Sequence, residues 1–226
     1  MDYTTYLILS LVVIVFSLWA QGSVKSTYAK YSKVSSRRGY TGAAIAQNIL
    51  DKNGITDVRI GQVSGTLSDH YSPKEKMIRL SDGVYGSSSV AALGIAAHEA
   101  GHTCQHYGNY GFIKLRNAIL PVAQIGSSAA IPLVVLGVSL SFGFLVDIGI
   151  IVFLFAVLFH LITLPVELNA SNRAMKALEE GHYLDEEELM GTRKVLTAAA
   201  MTYVAALASS LLQFLRLLSI ANRRRR

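Results

Sequence analysis

The chain has 226 residues, enough for one soluble domain with a sizeable core or for a smaller domain joined to membrane segments. Hydrophobic residues make up 51% and charged residues only 16%, against about 25% charged in average soluble domains, which puts a membrane class ahead of an ordinary soluble one. The net charge of +6 would suit a nucleic-acid binder, but the basic residues lie beside apolar stretches, as in the cytoplasmic loops of membrane proteins, so no nucleic-acid partner is expected.

Residues 3 to 20, "YTTYLILSLVVIVFSLWA", carry no charge and reach about the minimum length that spans a bilayer. Tyr6 and Trp19 stand near the two ends, where interfacial aromatics belong. The start "MDY" is acidic rather than basic, so an uncleaved span is expected instead of a signal peptide. Residues 21 to 118 form the largest polar segment, carry 12 of the 21 Lys and Arg, and read as a small folded domain. Within it, 41 to 53 reads as a helix with Thr41 as N-cap and Gly54 just past its end. "ITDVRIGQVSG" and "DHYSPKEKMIRLSD" alternate enough for short strands, with Ser72 and Pro73 marking a turn. A further helix begins near Ser88.

Residues 119 to 142 and 144 to 164 read as two more spans, the first despite Pro121 and Pro132. Residues 196 to 220 read as a weaker fourth, because Gln213 and Arg216 lie inside it, though its Ala and Ser positions suit close helix packing. The stretch 165 to 195 between them is polar and helical in pattern. The domain scheme is thus a span over 1–20, an α+β domain over 21–118, two spans over 119–164, a helical segment over 165–195, and a span with a basic tail over 196–226. Charge bias places 21–118 in the cytoplasm, and two intervening spans return 165–195 to the same side. The "RRRR" end would then fall outside if the fourth stretch spans, against the usual bias, and the sequence leaves that open. Cys104 stands alone, so no internal disulfide is expected.

The helix starting near Ser88 carries "AAHEAGHTCQH". His98 and His102, at i and i+4, lie on one helical face about 6 Å apart, so two imidazoles can reach one zinc ion. Glu99 leans toward the same place and can take a proton from a zinc-activated water and pass it to a leaving amine. His106 is about 12 Å from His98 along a straight helix, too far for the same ion. Gln105 and Gly108 occupy the places where the longer HExxH signature needs glycine and a third histidine, so that pattern fails. Cys104 falls roughly on the opposite side of the helix and reads as a small buried apolar residue.

A catalytic zinc takes three protein ligands and keeps one position open. The third ligand must come from elsewhere, with His70, His160, Glu167, Glu179, Glu180 and His182 as candidates. Glu167 stands out because it lies just past the third apolar stretch, where a charge pointing into the bundle is a functional candidate. The acidic run 185 to 188 reads as a helix start with a favourable dipole placement rather than a metal cluster. His70, Tyr71 and Tyr203 are candidate hydrogen-bond donors to a developing oxyanion. The strand around 57 to 64 could offer an edge to an extended peptide.

"GTLSDHYSPKEKMIRLSDGVYGSSSVAALGIAAHEAGHTCQH", followed in order by "PVELNASNRA" and "VLTAAAMTYVAA", resembles the YugP-like membrane zinc metallopeptidases of bacteria over nearly the whole chain. More distantly it is similar to the HtpX-type and CAAX prenyl proteases. The resemblance implies a mainly α membrane protein with about four transmembrane helices and a small α+β, zincin-like domain. It implies zinc (Zn2+) held by His98, His102 and Glu167, Glu99 as general base, and a gluzincin-like HExxH-plus-downstream-Glu peptidase in the bacterial cell membrane. The wider group favours an aspartate four residues after the ligand glutamate; Ser171 stands there and keeps a hydroxyl able to bond His98 or His102. The expected substrates are proteins or peptides at or in the lipid bilayer, cut at a site on the cytoplasmic side. A metal-binding membrane scaffold or a non-peptidase zinc hydrolase is the alternative.

Overall fold

The computed structural model describes residues 3–224, the side chains of residues 223 and 224 excepted, so of the basic tail read from the sequence only the backbone of its first two residues is described. The elements run α1 (Tyr3–Tyr31), α2 (Gly42–Lys52), β1 (Arg59–Val63), β2 (His70–Ser72), β3 (Met77–Ser81), α3 (Asp82–Tyr85), α4 (Val90–Tyr107), α5 (Gly111–Ser139), α6 (Gly143–Glu180) and α7 (Glu186–Arg224). The chain divides into two compact units. One comprises Met1–Ala20, Phe112–Pro165 and Met201–Arg226; the other comprises Gln21–Gly111 and Val166–Ala200.

Four helices, α1, α5, α6 and α7, are long and apolar enough to cross a membrane. Helices satisfy most of their own backbone polar groups, which is what hydrocarbon demands, and apolar side chains such as Leu7, Ile8, Leu11 and Phe144 point outward. Within the first unit, Ala130, Val134, Val146, Phe153, Val157, Leu217 and Ala221 form one buried cluster joining α5, α6 and α7. A side chain at Gly126 would run into the Val152 carbonyl, so α5 and α6 meet backbone to backbone, as small residues permit in membrane helices. Arg216, the charge inside the fourth apolar stretch, donates from Nη1 to the Tyr6 hydroxyl at 2.8 Å and stacks over its ring.

The helices overrun the apolar stretches that reveal them. α1 continues past residue 20 to Tyr31, α5 begins at Gly111 rather than 119, and α6 joins 144–164 and 165–180 into one helix. Hydropathy marks which part of a helix suits lipid, whereas where it ends depends on caps and breakers; even Pro165, at the start of the α6 extension, does not end that helix. α7 likewise runs unbroken through the fourth apolar stretch and begins ten residues before it.

The second unit holds the small sheet. Its strand order is β1-β3-β2, with β1 parallel to β3 and β2 antiparallel to it, so β1 and β2 are both edges. The residues 73–76 form the turn expected at Ser72 and Pro73. Thr41 caps α2 by accepting the Ala44 amide at 3.2 Å, and Ser89 caps α4 by accepting that of Ala92 at 3.2 Å. The short α3 was not evident from sequence; it occupies part of the segment assigned to strand and loop. Ile45, Ile49 and Leu50 of α2, Ile78 and Leu80 of β3, and Leu93, Ala96, Ala97 and Ala100 of α4 build the core with Ala174, Leu178 and Leu196. The acidic run opens α7 as a capping box: Glu188 N–H donates to Asp185 Oδ1, and Asp185 N–H donates to Glu188 Oε2, both at 2.9 Å. Glu188 Oε1 also accepts the Arg37 amide at 2.7 Å, binding segments 151 residues apart.

Candidate metal centre

α4 buries its alanine-rich face in the core, which leaves His98 and His102 on the face turned to α6. The crossing is close because residue 101 is glycine. A Cβ there would lie 2.7 Å from the Ala170 carbonyl oxygen. Backbone contact at Gly101 and Ala170 thus brings the α4 histidines beside a residue one turn earlier on α6, Glu167.

The histidine rings stand nearly perpendicular, 4.7 Å apart between centroids. Both turn Nε2 toward the same carboxylate oxygen: Glu167 Oε2 is 3.3 Å from His98 Nε2 and 3.4 Å from His102 Nε2. Two ligand atoms about 2.0–2.1 Å from a tetrahedral zinc are about 3.3 Å from each other, so these distances match the edges that a tetrahedral zinc would need. The donor set, two imidazoles and a carboxylate, is one that a catalytic zinc accepts with its fourth position open. The three residues form the one group able to hold a metal among those described. Their side chains are 15%, 13% and 4% exposed in the order His98, His102, Glu167, which leaves the imidazoles approachable and the carboxylate sealed.

The opposite ring nitrogens are also engaged. Ser171 Oγ lies 3.1 Å from His98 Nδ1, and Gln105 Oε1 lies 3.0 Å from His102 Nδ1. Of the two imidazoles that Ser171 was expected to serve, it meets His98. Gln105 Nε2 donates to the Val166 carbonyl at 2.7 Å and to Asn169 Oδ1 at 3.0 Å, and Asn169 Oδ1 also accepts Arg173 Nε at 2.9 Å. Such outer hydrogen bonds fix which nitrogen of a ligand histidine faces the metal. From sequence neither Gln105 nor Asn169 had a role at the site. Gln105 registered only as the residue that spoils a longer metal motif, because its three partners come from separate stretches of chain.

Burial works against protonation of His102, but the Glu167 carboxylate beside it, the Glu99 charge and Gln105 together hold its pKa above the ordinary imidazole value. Glu99 is buried, 8% exposed, on the same helix, and its backbone carbonyl accepts Thr103 Oγ1 at 3.1 Å.

The other candidates fall elsewhere. His70, Glu179, Glu180 and His182 are exposed and join no metal group among the described residues. His70 Nδ1 faces the Ser68 carbonyl, in the loop just before β2, at 2.8 Å. His160 is half-buried, in the first unit, with its ring against Phe159. His106 is exposed and meets the Tyr71 hydroxyl at 3.4 Å. Cys104 is a free thiol in the core, its pKa raised by burial. Tyr71 is likewise raised by burial, to about 12. Tyr203 belongs to the first unit.

A family model described as "Putative neutral zinc metallopeptidase" matches residues 6–222. The protein named "Putative membrane protease YugP" from Bacillus subtilis (strain 168) is 45% identical over 215 residues, covering 95% of this chain and 96% of the relative. No solved structure matches. A family model that matches almost end to end, a membrane relative covered over nearly its whole length, four membrane-length helices and a three-residue group able to hold a metal converge on one conclusion: the chain belongs to the family of neutral zinc metallopeptidases, with zinc as its metal.

Proposed function

We propose that the protein is a membrane-embedded zinc endopeptidase in which His98, His102 and Glu167 hold the metal and Glu99 is the general base. The observation that carries this reading is the meeting of His98 Nε2, His102 Nε2 and Glu167 Oε2 at 3.3 and 3.4 Å, from helices joined through two apolar stretches. Bound zinc supplies Lewis acidity, polarising a substrate carbonyl and making water acidic enough to give up a proton near neutral pH. The chain's own residues do the rest. Glu99, one position from His98 and shielded from bulk water, takes the proton from the attacking water and returns it to the departing amine nitrogen. Ser171 and Gln105 keep the imidazoles turned so that each presents Nε2.

An extended substrate pairs with a free sheet edge. The sequence suggested 57–64, which is the edge strand β1; α4, however, packs against β2 and β3, which favours β2 as the edge serving the site. Substrates are membrane or membrane-adjacent proteins. Supporting this, Glu167 sits on the same continuous helix as the apolar run 144–164, three residues beyond its end. The basic character of 21–118 supports a cytoplasmic site in a bacterial cell membrane.

The deciding experiment is metal analysis together with casein-type cleavage by detergent-purified protein. Wild type is expected to carry about one zinc per chain, as a single three-ligand site implies. Glu99→Gln is expected to keep zinc and lose cleavage, and His98→Ala to lose both. Cleavage by Glu99→Gln at the wild-type rate would remove Glu99 from its role; zinc retained by His98→Ala would remove the metal assignment.

A further inference from the structure

We propose that Gln105 is a positioning residue that locks His102 and Glu167 into register before zinc arrives. This rests on the metal reading above. A primary amide has one acceptor oxygen and two N–H hydrogens. Gln105 is fully buried, and both of its hydrogens are committed: one to the Val166 carbonyl, the other to Asn169 Oδ1. Neither partner can donate back. Val166 offers only a carbonyl there, and Asn169 Oδ1 is identified as oxygen by the Arg173 N–H that it also accepts. The orientation of the Gln105 amide is therefore decided by its surroundings, and Oε1 is left facing His102 Nδ1 at 3.0 Å.

An acceptor at that place requires a hydrogen on His102 Nδ1. The lone pair then resides on Nε2, which points to the spot shared with His98 Nε2 and Glu167 Oε2. The same side chain holds residues on both sides of the third ligand, Val166 one position before Glu167 and Asn169 two after. One amide thus sets the tautomer of a ligand on α4 and the axial position of a ligand on α6. Ser171 has no comparable reach: its hydroxyl meets only His98.

The test uses the full-length protein in detergent, with zinc affinity measured by chelator competition and cobalt substitution read by visible absorption. Gln105→Met keeps volume and removes all three hydrogen bonds. It is expected to bind zinc about 10- to 100-fold more weakly, as for other outer-sphere partners of metal ligands, and to show an altered spectrum even at saturating cobalt. A role confined to general stability would leave the saturated spectrum unchanged. In a Glu167→Ala background, the further loss from Gln105→Met is expected to be smaller, because α6 then has no ligand to place. Asn169→Ala, which frees only one Gln105 hydrogen, is expected to cost several-fold and serves if Gln105→Met does not yield a monodisperse protein. Wild-type affinity and spectrum in Gln105→Met, or in Asn169→Ala where it stands in, overturn the proposal; so does an equal loss in both backgrounds. His102→Ala separates the layers. If it binds zinc as tightly as wild type, the metal reading itself falls; if it loses zinc while Gln105→Met does not, only the role of Gln105 falls.

Discussion

Gly101→Ala puts the smallest possible wedge between the two ligand-bearing helices. The added Cβ would lie 2.7 Å from the Ala170 carbonyl oxygen, where an ordinary contact needs 3.4 Å, so α4 and α6 must part by about 0.7 Å. Fold stability has two opposing terms. Overpacking costs about 1–3 kcal/mol, and replacing glycine by alanine inside a helix returns about 1 kcal/mol, leaving a net loss of roughly 0–2 kcal/mol. The metal centre is less forgiving. Its edges of 3.3 and 3.4 Å would widen by a comparable amount, whereas zinc–ligand distances tolerate only about 0.2 Å. Zinc affinity is therefore expected to fall about 10- to 100-fold, equivalent to about 1.4–2.8 kcal/mol, with the fold largely kept. The assay is chelator competition on the detergent-purified protein beside a thermal melt of the zinc-free form. Gly22→Ala, where a Cβ meets nothing within 4 Å, is the control. Affinity for Gly101→Ala within about twofold of wild type would refute the claim that close helix approach sets the ligand geometry.

Glu188→Ala removes two buried backbone hydrogen bonds to a carboxylate, and is expected to cost about 3 kcal/mol and lower the melting temperature, while the exposed Glu187→Ala leaves it unchanged. Proton competition for zinc is expected to begin above pH 6.5, because the pKa of His102 is raised above that value. In the zinc-free protein the sign reverses: the stabilisation from the protonated His102–Glu167 pair is present below pH 6.5 and is lost as pH rises through the raised pKa, so a pH series of melts with and without zinc shows opposite slopes. Glu167→Gln is expected to weaken zinc binding by more than tenfold in the same competition titration, since a neutral amide replaces the one anionic ligand.

Much of the centre was legible in the sequence because HExxH states its own geometry: a helical period places His98 and His102 on one face whatever surrounds them. Glu167 was legible as a charge at the end of an apolar run, although nothing local says which neighbour it meets. The convergence depends on Gly101 and Ala170 being small at the same level of two helices, a pairing between positions 69 apart that no single window contains. The outer ring divides the same way. Ser171 was legible through the family pattern, but Gln105 was not, since a buried amide declares its role only when all three of its partners are in place. Helix ends were read short wherever hydropathy alone was followed, as at Tyr31 and Gly111, because solubility in lipid and continuity of backbone hydrogen bonding are separate properties.

The division of the second unit into two stretches of chain, Gln21–Gly111 and Val166–Ala200, has a consequence for biogenesis. The intervening hairpin, Phe112–Pro165, must be synthesised and placed before the later stretch can join the earlier one. Until then His98 and His102 exist without Glu167, and the loop after α1 lacks the Glu188 carboxylate that accepts the Arg37 amide. A nascent chain stalled at the hairpin has two of the three proposed metal ligands and lacks the α6 and α7 residues of the second unit's core. Translation order therefore brings the three proposed ligands together only after the hairpin between them has been made.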